Sequence, residues 1–292
     1  MKTVRIITHN GRFHADDVSA VAVLDLVFKS AIEVSRTRDE AVIAAGDIVL
    51  DVGGKNDGEK HFDHHQPEGG GVRENGIPYA SFGLIWKKFG KELVSDAVAE
   101  KFDRVFVQPV DALDNGVQIY DTKFPGVRPF SFDSFVYAAN PTWKEDEDTR
   151  DQKFMETVKL MRQIIERELL FLTHEEEAKE KVMKNYEEAE DKRIVVLDTN
   201  YPYHEVLASL PEPIFAVYKS PQQGSWHVGS VPQSDARFEI RKQLPAAWAG
   251  LRDEELQKVS GVADALFCHR KLFMGTAGSK EGAIAMVKKA LS

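Results

Sequence analysis

The chain has 292 residues, 42% of them hydrophobic, which is enough for a well-buried core and near the length at which chains divide into two domains. Its 38 Lys and Arg stand against 47 Asp and Glu, a formal net charge of −9 that argues against broad nonspecific binding to membrane surfaces or long nucleic acid. One cysteine, Cys268, rules out an intrachain disulfide and a thiolate zinc site, and no run of about 18 apolar residues marks a membrane span, so the expectation is a cytoplasmic enzyme.

In chain order, residues 4–8 (VRIIT) read as a short buried strand that delivers His9 into the turn signal Asn10-Gly11. From Asp17 the apolar spacing becomes helical, through Val18, Val21, Ala22, Leu24 and Val27. Short strands are expected over 31–34, 47–51 and 60–64, the second ending in Asp51 before Gly53-Gly54 and the third on a histidine pair. Each strand runs into polar or Gly-rich residues, where open α/β sheets place their ligands. Residues 68–76 (EGGGVRENG) lack the Gly-Lys-Ser/Thr ending of a nucleotide P-loop and read as a flexible segment beside the site.

Pro78 is expected to open a helix running to Phe89. A second helix over Val94 to Phe106 is expected to kink or end at Pro109, just before Asp111. Residues 121–149 read as an irregular connection, and 151–191 as a helical pair with the stripe Phe154, Val158, Met161, Ile165, Leu169 and Leu172. Strands are expected at 193–197, 213–218, 226–231 and 265–268, and a last helix at 279–290. The fold class is α/β, divided into a metal-binding catalytic domain with a mostly parallel sheet (1–150), a helical linker (151–191) and a smaller α/β substrate-binding domain (192–292). Residues 121–190 are where a lid or a homodimer surface would fall.

Five of the nine histidines precede residue 66: His9, His14, His61, His64 and His65. They interleave with Asp16, Asp17, Asp51 and Asp63, and Asp111 and Asp114 follow. Mixed imidazole and carboxylate donors suit Mn, Fe, Co or Zn. Two ions about 3.5–4 Å apart need a bridging ligand, terminal ligands and an open edge for water and phosphate. Carboxylates bridge well, while histidines fill terminal positions without adding negative charge that would repel a phosphate.

The ordered set His9-Asn10-Gly11-Arg12-Phe13-His14-Ala15-Asp16-Asp17, Leu50-Asp51-Val52-Gly53-Gly54, Phe62-Asp63-His64-His65-Gln66 and Val110-Asp111-Ala112-Leu113-Asp114-Asn115-Gly116 resembles the Myg family, relatives of the melanocyte-proliferating-gene protein. In the C-terminal half, residues 241–251 and 267–286 match as well. The family looks like a branch of the Asp-His-His phosphoesterase superfamily. The resemblance implies an N-terminal α/β domain with two metals, usually Mn with Mg, Co or Zn as alternatives, and a C-terminal substrate-holding domain. It further implies a 3′-to-5′ exoribonuclease or short-oligonucleotide phosphodiesterase.

Carried over by position, the resemblance implies His9, Asp16, Asp51, His64 and Asp111 as metal ligands, with Asp51 bridging. His65 would face the phosphate and Asp63 would orient the triplet. The superfamily usually reads His, three residues, Asp, one residue, Asp. Here His14 stands where the first aspartate should be, so either an imidazole replaces a carboxylate or Asp17 supplies it. Asn115 and Asp114 support Asp111.

The substrate domain lacks the Gly-Gly-Gly-His tract of the nuclease branch but has His269-Arg270 and the stretch Gly275 to Gly278 before a helix, whose amides would take a phosphate. Arg241, Lys242 and Arg270 are candidates for non-scissile phosphates. The competing enzyme reading is a pyrophosphatase or a hydrolase of another small phosphoanhydride or phosphomonoester. The non-enzyme reading is a metal- or nucleotide-binding regulator that has lost catalysis.

Overall fold

In the computed structural model, residues 3–220, 224–234 and 239–292 are described. They divide into two compact units, Met1–Thr173 and His174–Ser292. The division falls inside one 39-residue helix.

The first unit is built on a four-stranded parallel sheet, β1 (Val4–Thr8), β2 (Ile32–Arg36), β3 (Ile48–Leu50) and β4 (His61–Phe62), in the order β2-β1-β3-β4. Two helices make the crossovers, α1 (Ala15–Val27) after β1 and α2 (Glu40–Ala45) after β2. β1 and β3 are buried on both faces, as parallel strands are. Ile6, Ile48 and Leu50 join the main core, while Ile7 and Val49 pack on the other side with Val52 and Ile43 of α2. The chain leaves β1 toward β2 and returns beyond it to β3. The carboxyl ends of β1 and β3 therefore flank a switch point, the place where such sheets bind ligands.

Over the inner face lie α1, α3 (Ser81–Phe89), α4 (Asp96–Phe102), α5 (Gln108–Asp114) and α6 (Phe132–Ala139). α3 starts at Ser81 rather than at Pro78, which pairs with Val72 in an isolated bridge. Its N-cap, Ala80, offers no side-chain acceptor. The Asp16 carboxylate accepts from Ser81 N at 3.0 Å and Asp111 from Gly83 N at 3.0 Å, so the helix is capped by acids from distant sequence. Pro109 lies in the first turn of α5, and a five-residue π-turn, Asp103–Val107, joins α4 to it, so the chain stays helical where a break is expected. The stretch 121–149 is irregular except for α6 and one short 3-10 turn.

The expected helical pair is a single helix, α7 (Arg150–Glu188). No Gly or Pro interrupts it, and its stripe from Phe154 to Leu172 is buried in the first unit's core. No helix among the described residues is long and apolar enough to cross a membrane.

The second unit holds a mixed sheet of β5 (Ile194–Leu197), β6 (Phe215–Lys219), β7 (Trp226–Ser230), β8 (Ala265–Cys268) and β9 (Met274–Ala277), ordered β5-β6-β7-β9-β8. β5 and β6 are parallel and the remaining pairs antiparallel. Alternation along β6 splits the core: Phe215 and Val217 face α9 (Asp253–Ser260) and α10 (Lys280–Leu291), whereas Ala216 and Tyr218 face α8 (His204–Ser209) and the end of α7. Trp248 is 4% exposed in the first of these clusters, so it packs rather than stacks on a ligand.

Candidate metal centre

The pairing register brings the acidic and imidazole side chains together. His9 and Asp51 each lie two residues past the last β1–β3 pair, Ile7↔Val49, and Asp63 lies one residue past Leu50↔Phe62. Asp51 turns out of β3 at φ +54°, a left-handed conformation rare for a residue with a side chain. That backbone cost is of the kind held at functional sites. One face of Asp51 meets His9, with Oδ2 3.3 Å from Nε2, and the other meets His64, with Oδ1 3.3 Å from Nε2. A carboxylate whose two oxygens address two different imidazoles has the geometry of a bridge.

Around it, His9 Nε2 lies 3.1 Å from Asp17 Oδ2. His64 Nε2 lies 3.6 Å from Asp16 Oδ2 and 3.2 Å from Asp114 Oδ2. Three triads have donor atoms close enough to share an ion: His9, His14 and Asp51; Asp51, His64 and His65; and Asp16, His64 and Asp114. Asp51 is common to two and His64 to two. His9 Nε2, His64 Nε2, Asp16 Oδ1 and Asp17 Oδ2 are buried, and apart from the imidazole–carboxylate approaches just given none makes a hydrogen bond of good geometry among the described residues. Buried donors and acceptors without well-aligned hydrogen bonds are rare and costly, and these four belong to the side chains that converge on Asp51. The set fits a divalent cation.

The electrostatics point the same way. Burial and the charges of Asp51 and Asp114 push the Asp16 carboxyl well above the usual carboxylate range. Asp114 is raised by burial and by Asp51. Burial would raise Asp51 too, but His64 and His9 hold it below its ordinary value. Burial lowers His9, yet the carboxylates of Asp17 and Asp51 close to its Nε2 override it and push the imidazole up to about 9. His64 is likewise raised against its burial by Asp51 and Asp114. Without a cation the cluster must retain protons, because unpaired buried carboxylates are expensive.

The candidate residues sort as follows. Asp63 Oδ1 accepts from His65 N at 3.1 Å and lies 2.9 Å from its Nδ1, while Oδ2 accepts from Gly54 N at 2.6 Å. It thus holds the His65 ring, whose side chain is 62% exposed, over the Gly53-Gly54 turn. Asp17 Oδ1 accepts from His14 N and Val18 N, securing the start of α1, and only Oδ2 faces His9. Asp111 is wholly buried but is not in any of the three triads. It pairs with Arg73 at 2.8 Å and accepts from Gly83 N, and burial pushes its carboxyl up to about 7 against the pull of Arg73. Asp114, one turn further along α5, is the carboxylate that reaches His64. Asn115 caps α5, its side chain donating to Asp111 O at 2.8 Å, and it adds to the groups that raise His64.

In the second unit the expected phosphate ligands have other work. Arg241 donates to Pro213 O and Ala208 O at 2.8 and 2.7 Å, tying α8 to the loop before β6. His269 Nδ1 accepts from Lys271 N and its ring packs on Phe273. Gly275 lies in β9, where a Cβ would meet Met286 and Leu244 at 3.0 and 3.2 Å, and Gly278 N donates to Asp264 O. The N-terminus of α10 is filled by Ser279, which accepts from Gly282 N and donates to Asp264 Oδ2. Arg270 is exposed.

A cavity of about 250 Å³ opens onto the cluster, lined by His9, His14, Arg38, Asp51, Val52, Gly53, Gly54, Asp63 and His65. Sequence reading missed Arg38, although it follows the end of β2 as His9 follows β1. It also missed Arg73 and Asn140. Asn140 clamps the loop between His9 and His14 by accepting from Phe13 N at 3.1 Å and donating to Phe13 O at 2.9 Å. No local pattern announces contacts of 127 residues' separation.

Comparisons with known proteins agree over the whole chain. A family described as "Uncharacterised protein family (UPF0160)" matches residues 5–291. The MYG1 protein of Schizosaccharomyces pombe is 32% identical over 324 residues, covering 99% of this chain and 97% of the relative. The human MYG1 exonuclease is 32% identical over 327 residues, covering 100% and 87%. Among solved structures, a pGpG-specific phosphodiesterase from Vibrio cholerae aligns over 99% of this chain and 97% of its own at 15% identity, with a TM-score of 0.35. The chain therefore belongs to the UPF0160 family, the family of the MYG1 exonucleases.

Proposed function

We propose that this protein is a divalent-metal-dependent phosphodiesterase that trims RNA or short oligonucleotides from the 3′ end. The observation that carries the proposal is the convergence of buried His9, Asp16, Asp17 and His64 atoms, none in a well-aligned hydrogen bond, around the two-faced carboxylate of Asp51. The relatives named MYG1 exonuclease support the reaction class. His9 and His14 would hold one ion and Asp16, His64 and Asp114 the other, with Asp51 shared; Mn suits this mix of donors. Asp114 rather than Asp111 takes the fourth position.

Such ions supply a polarised phosphoryl oxygen and a water that ionises near neutral pH. The protein's own part is positioning and proton traffic. Asp63 fixes the His65 ring by its Nδ1, leaving Nε2 to give a proton to the leaving oxygen. Gly53 and Gly54, both at positive φ, let the backbone turn closely beneath the substrate.

The test is hydrolysis of 5′-labelled short RNA, short DNA and pyrophosphate, each with Mn, Mg or chelator. Stepwise, metal-dependent shortening of RNA, abolished in His64→Ala and Asp51→Asn, is the expected result. Turnover of pyrophosphate alone, or full activity in those variants, would overturn the proposal.

A further inference from the structure

Among the described residues, Arg38 is the one arginine or lysine in the wall of the cavity over the cluster. Every other arginine near this end of the sheet is engaged. Arg36 pairs with Asp151 and donates to Gly11 O, Arg73 pairs with Asp103 and Asp111, and Arg12 lies over Tyr137. Arg38 has no hydrogen bond, ion pair or ring contact among the described residues. Yet the backbone on either side of it is fixed. Thr37 N donates to Thr8 O at 2.7 Å, and Asp39 caps α2 by accepting from Ala41 N at 2.8 Å. The residue is thus held at the cavity while its guanidinium stays open.

The position of β2 says which part of a ligand it meets. The proposed metal ligands gather around Asp51, beyond β3, and β2 lies on the far side of β1 from β3. Strands are spaced about 4.8 Å apart, so the loop carrying Arg38 starts roughly 10 Å across the sheet from that of Asp51. The rest of the wall is Val52, Gly53 and Gly54 with imidazoles and the carboxylates of Asp51 and Asp63, and those carboxylates would repel a second anionic group unless a cation received it. A guanidinium presents paired N–H donors that match a phosphate.

We propose that Arg38 binds the phosphate next to the scissile one, so that the site prefers substrates with two successive phosphates. This rests on reading the cluster as a phosphoesterase centre.

The experiment compares the dinucleotide ApA with its 5′-phosphorylated form, pApA, on the Mn-loaded full chain. The parent enzyme should show a KM for pApA lower by about tenfold or more, the range of a charge-assisted hydrogen bond. Arg38→Ala should erase that advantage with kcat and Mn affinity unchanged, and Arg38→Lys should keep part of it. An advantage that persists in Arg38→Ala, or a loss of Mn affinity in that variant, would overturn the inference. If the parent cleaves neither dinucleotide, shortening of longer RNA still decides the proposed function, and equilibrium binding of pyrophosphate decides the role of Arg38 separately. Weakening by about tenfold in Arg38→Ala supports it; unchanged binding refutes it.

Discussion

Gly83 is the point where a helix, a buried ion pair and the metal cluster meet, and Gly83→Ala isolates that junction. In an ordinary helix interior, alanine is about 1 kcal/mol better than glycine. Here an added Cβ would lie 1.9 Å from Asp111 Oδ2 and 2.8 Å from an Arg73 terminal nitrogen. Reaching even a tight contact of 3.0 Å requires the carboxylate to retreat by roughly 1 Å. It has nowhere to go, being fully buried and held by Arg73 at 2.8 Å and by Gly83 N at 3.0 Å. Loss of a charged hydrogen bond costs about 1.5–3 kcal/mol and overpacking about 1–3. Set against the propensity gain, the net destabilisation is about 1.5–5 kcal/mol. Urea unfolding followed by circular dichroism should show the midpoint falling with little change in slope. Mn affinity should fall too, because displacing Asp111 moves the helix that carries Asp114. A Gly83→Ala protein as stable as the parent, or more so, would refute this account of how α3 is capped.

The metal-free protein should lose stability as pH rises from 6.5 to about 9. His9 is raised in the fold, so its contribution is complete below the ordinary value of 6.5 and disappears as pH passes its folded value of about 9. The raised Asp111 acts in the same direction up to about 7. Melting in chelator should therefore fall across this window, while Mn, which competes with the proton for His9, should raise the melting temperature most at the alkaline end. A flat or rising profile in chelator would contradict the assignment. Separately, Asn140→Ala strips partners from the Phe13 amide and carbonyl at a buried site, which should cost about 1–3 kcal/mol and weaken Mn binding through the loop carrying His14. Unchanged Mn affinity in that variant would make Asn140 a packing residue only.

What could be read from the sequence was what local chemistry writes down. β1 and β3 announce themselves as short apolar runs, and the residues that follow them, His9 and Asp51, stand out because each strand stops on a side chain of a type that can ligate a metal. The Asp63-His64-His65 triplet is visible for the same reason. The sequence reading favours Asp111 over Asp114, but the two lie on one helix one turn apart, and the approach of Arg73 from the 68–76 segment to Asp111 has no local signal. The start of α3 misled because Pro78 is a local signal, whereas the true caps, Asp16 and Asp111, arrive through tertiary structure. The stretch Gly275 to Gly278 looked like a phosphate loop because glycine serves both turns and close packing. The crowding of Gly275 by Met286 and Leu244 shows it serving the second.

The buried acids share a division of labour that explains why fold and site are hard to separate. Asp16 gives Oδ2 to Ser81 N and keeps Oδ1 unpartnered. Asp17 gives Oδ1 to His14 N and Val18 N and turns Oδ2 to His9. Asp63 divides its oxygens between Gly54 N and His65. In each, one oxygen satisfies a backbone donor that would otherwise be buried without a partner, and the other serves the site. Alanine at such a position removes both at once, so lost activity cannot be told from a lost cap. Asparagine can keep the backbone acceptor and present the site with a neutral amide. It removes the charge that draws a cation while sparing the helix start. The same arrangement makes the cluster rigid before any ion arrives, because the oxygens that would bind metal are carried on carboxyl groups already fixed by the backbone.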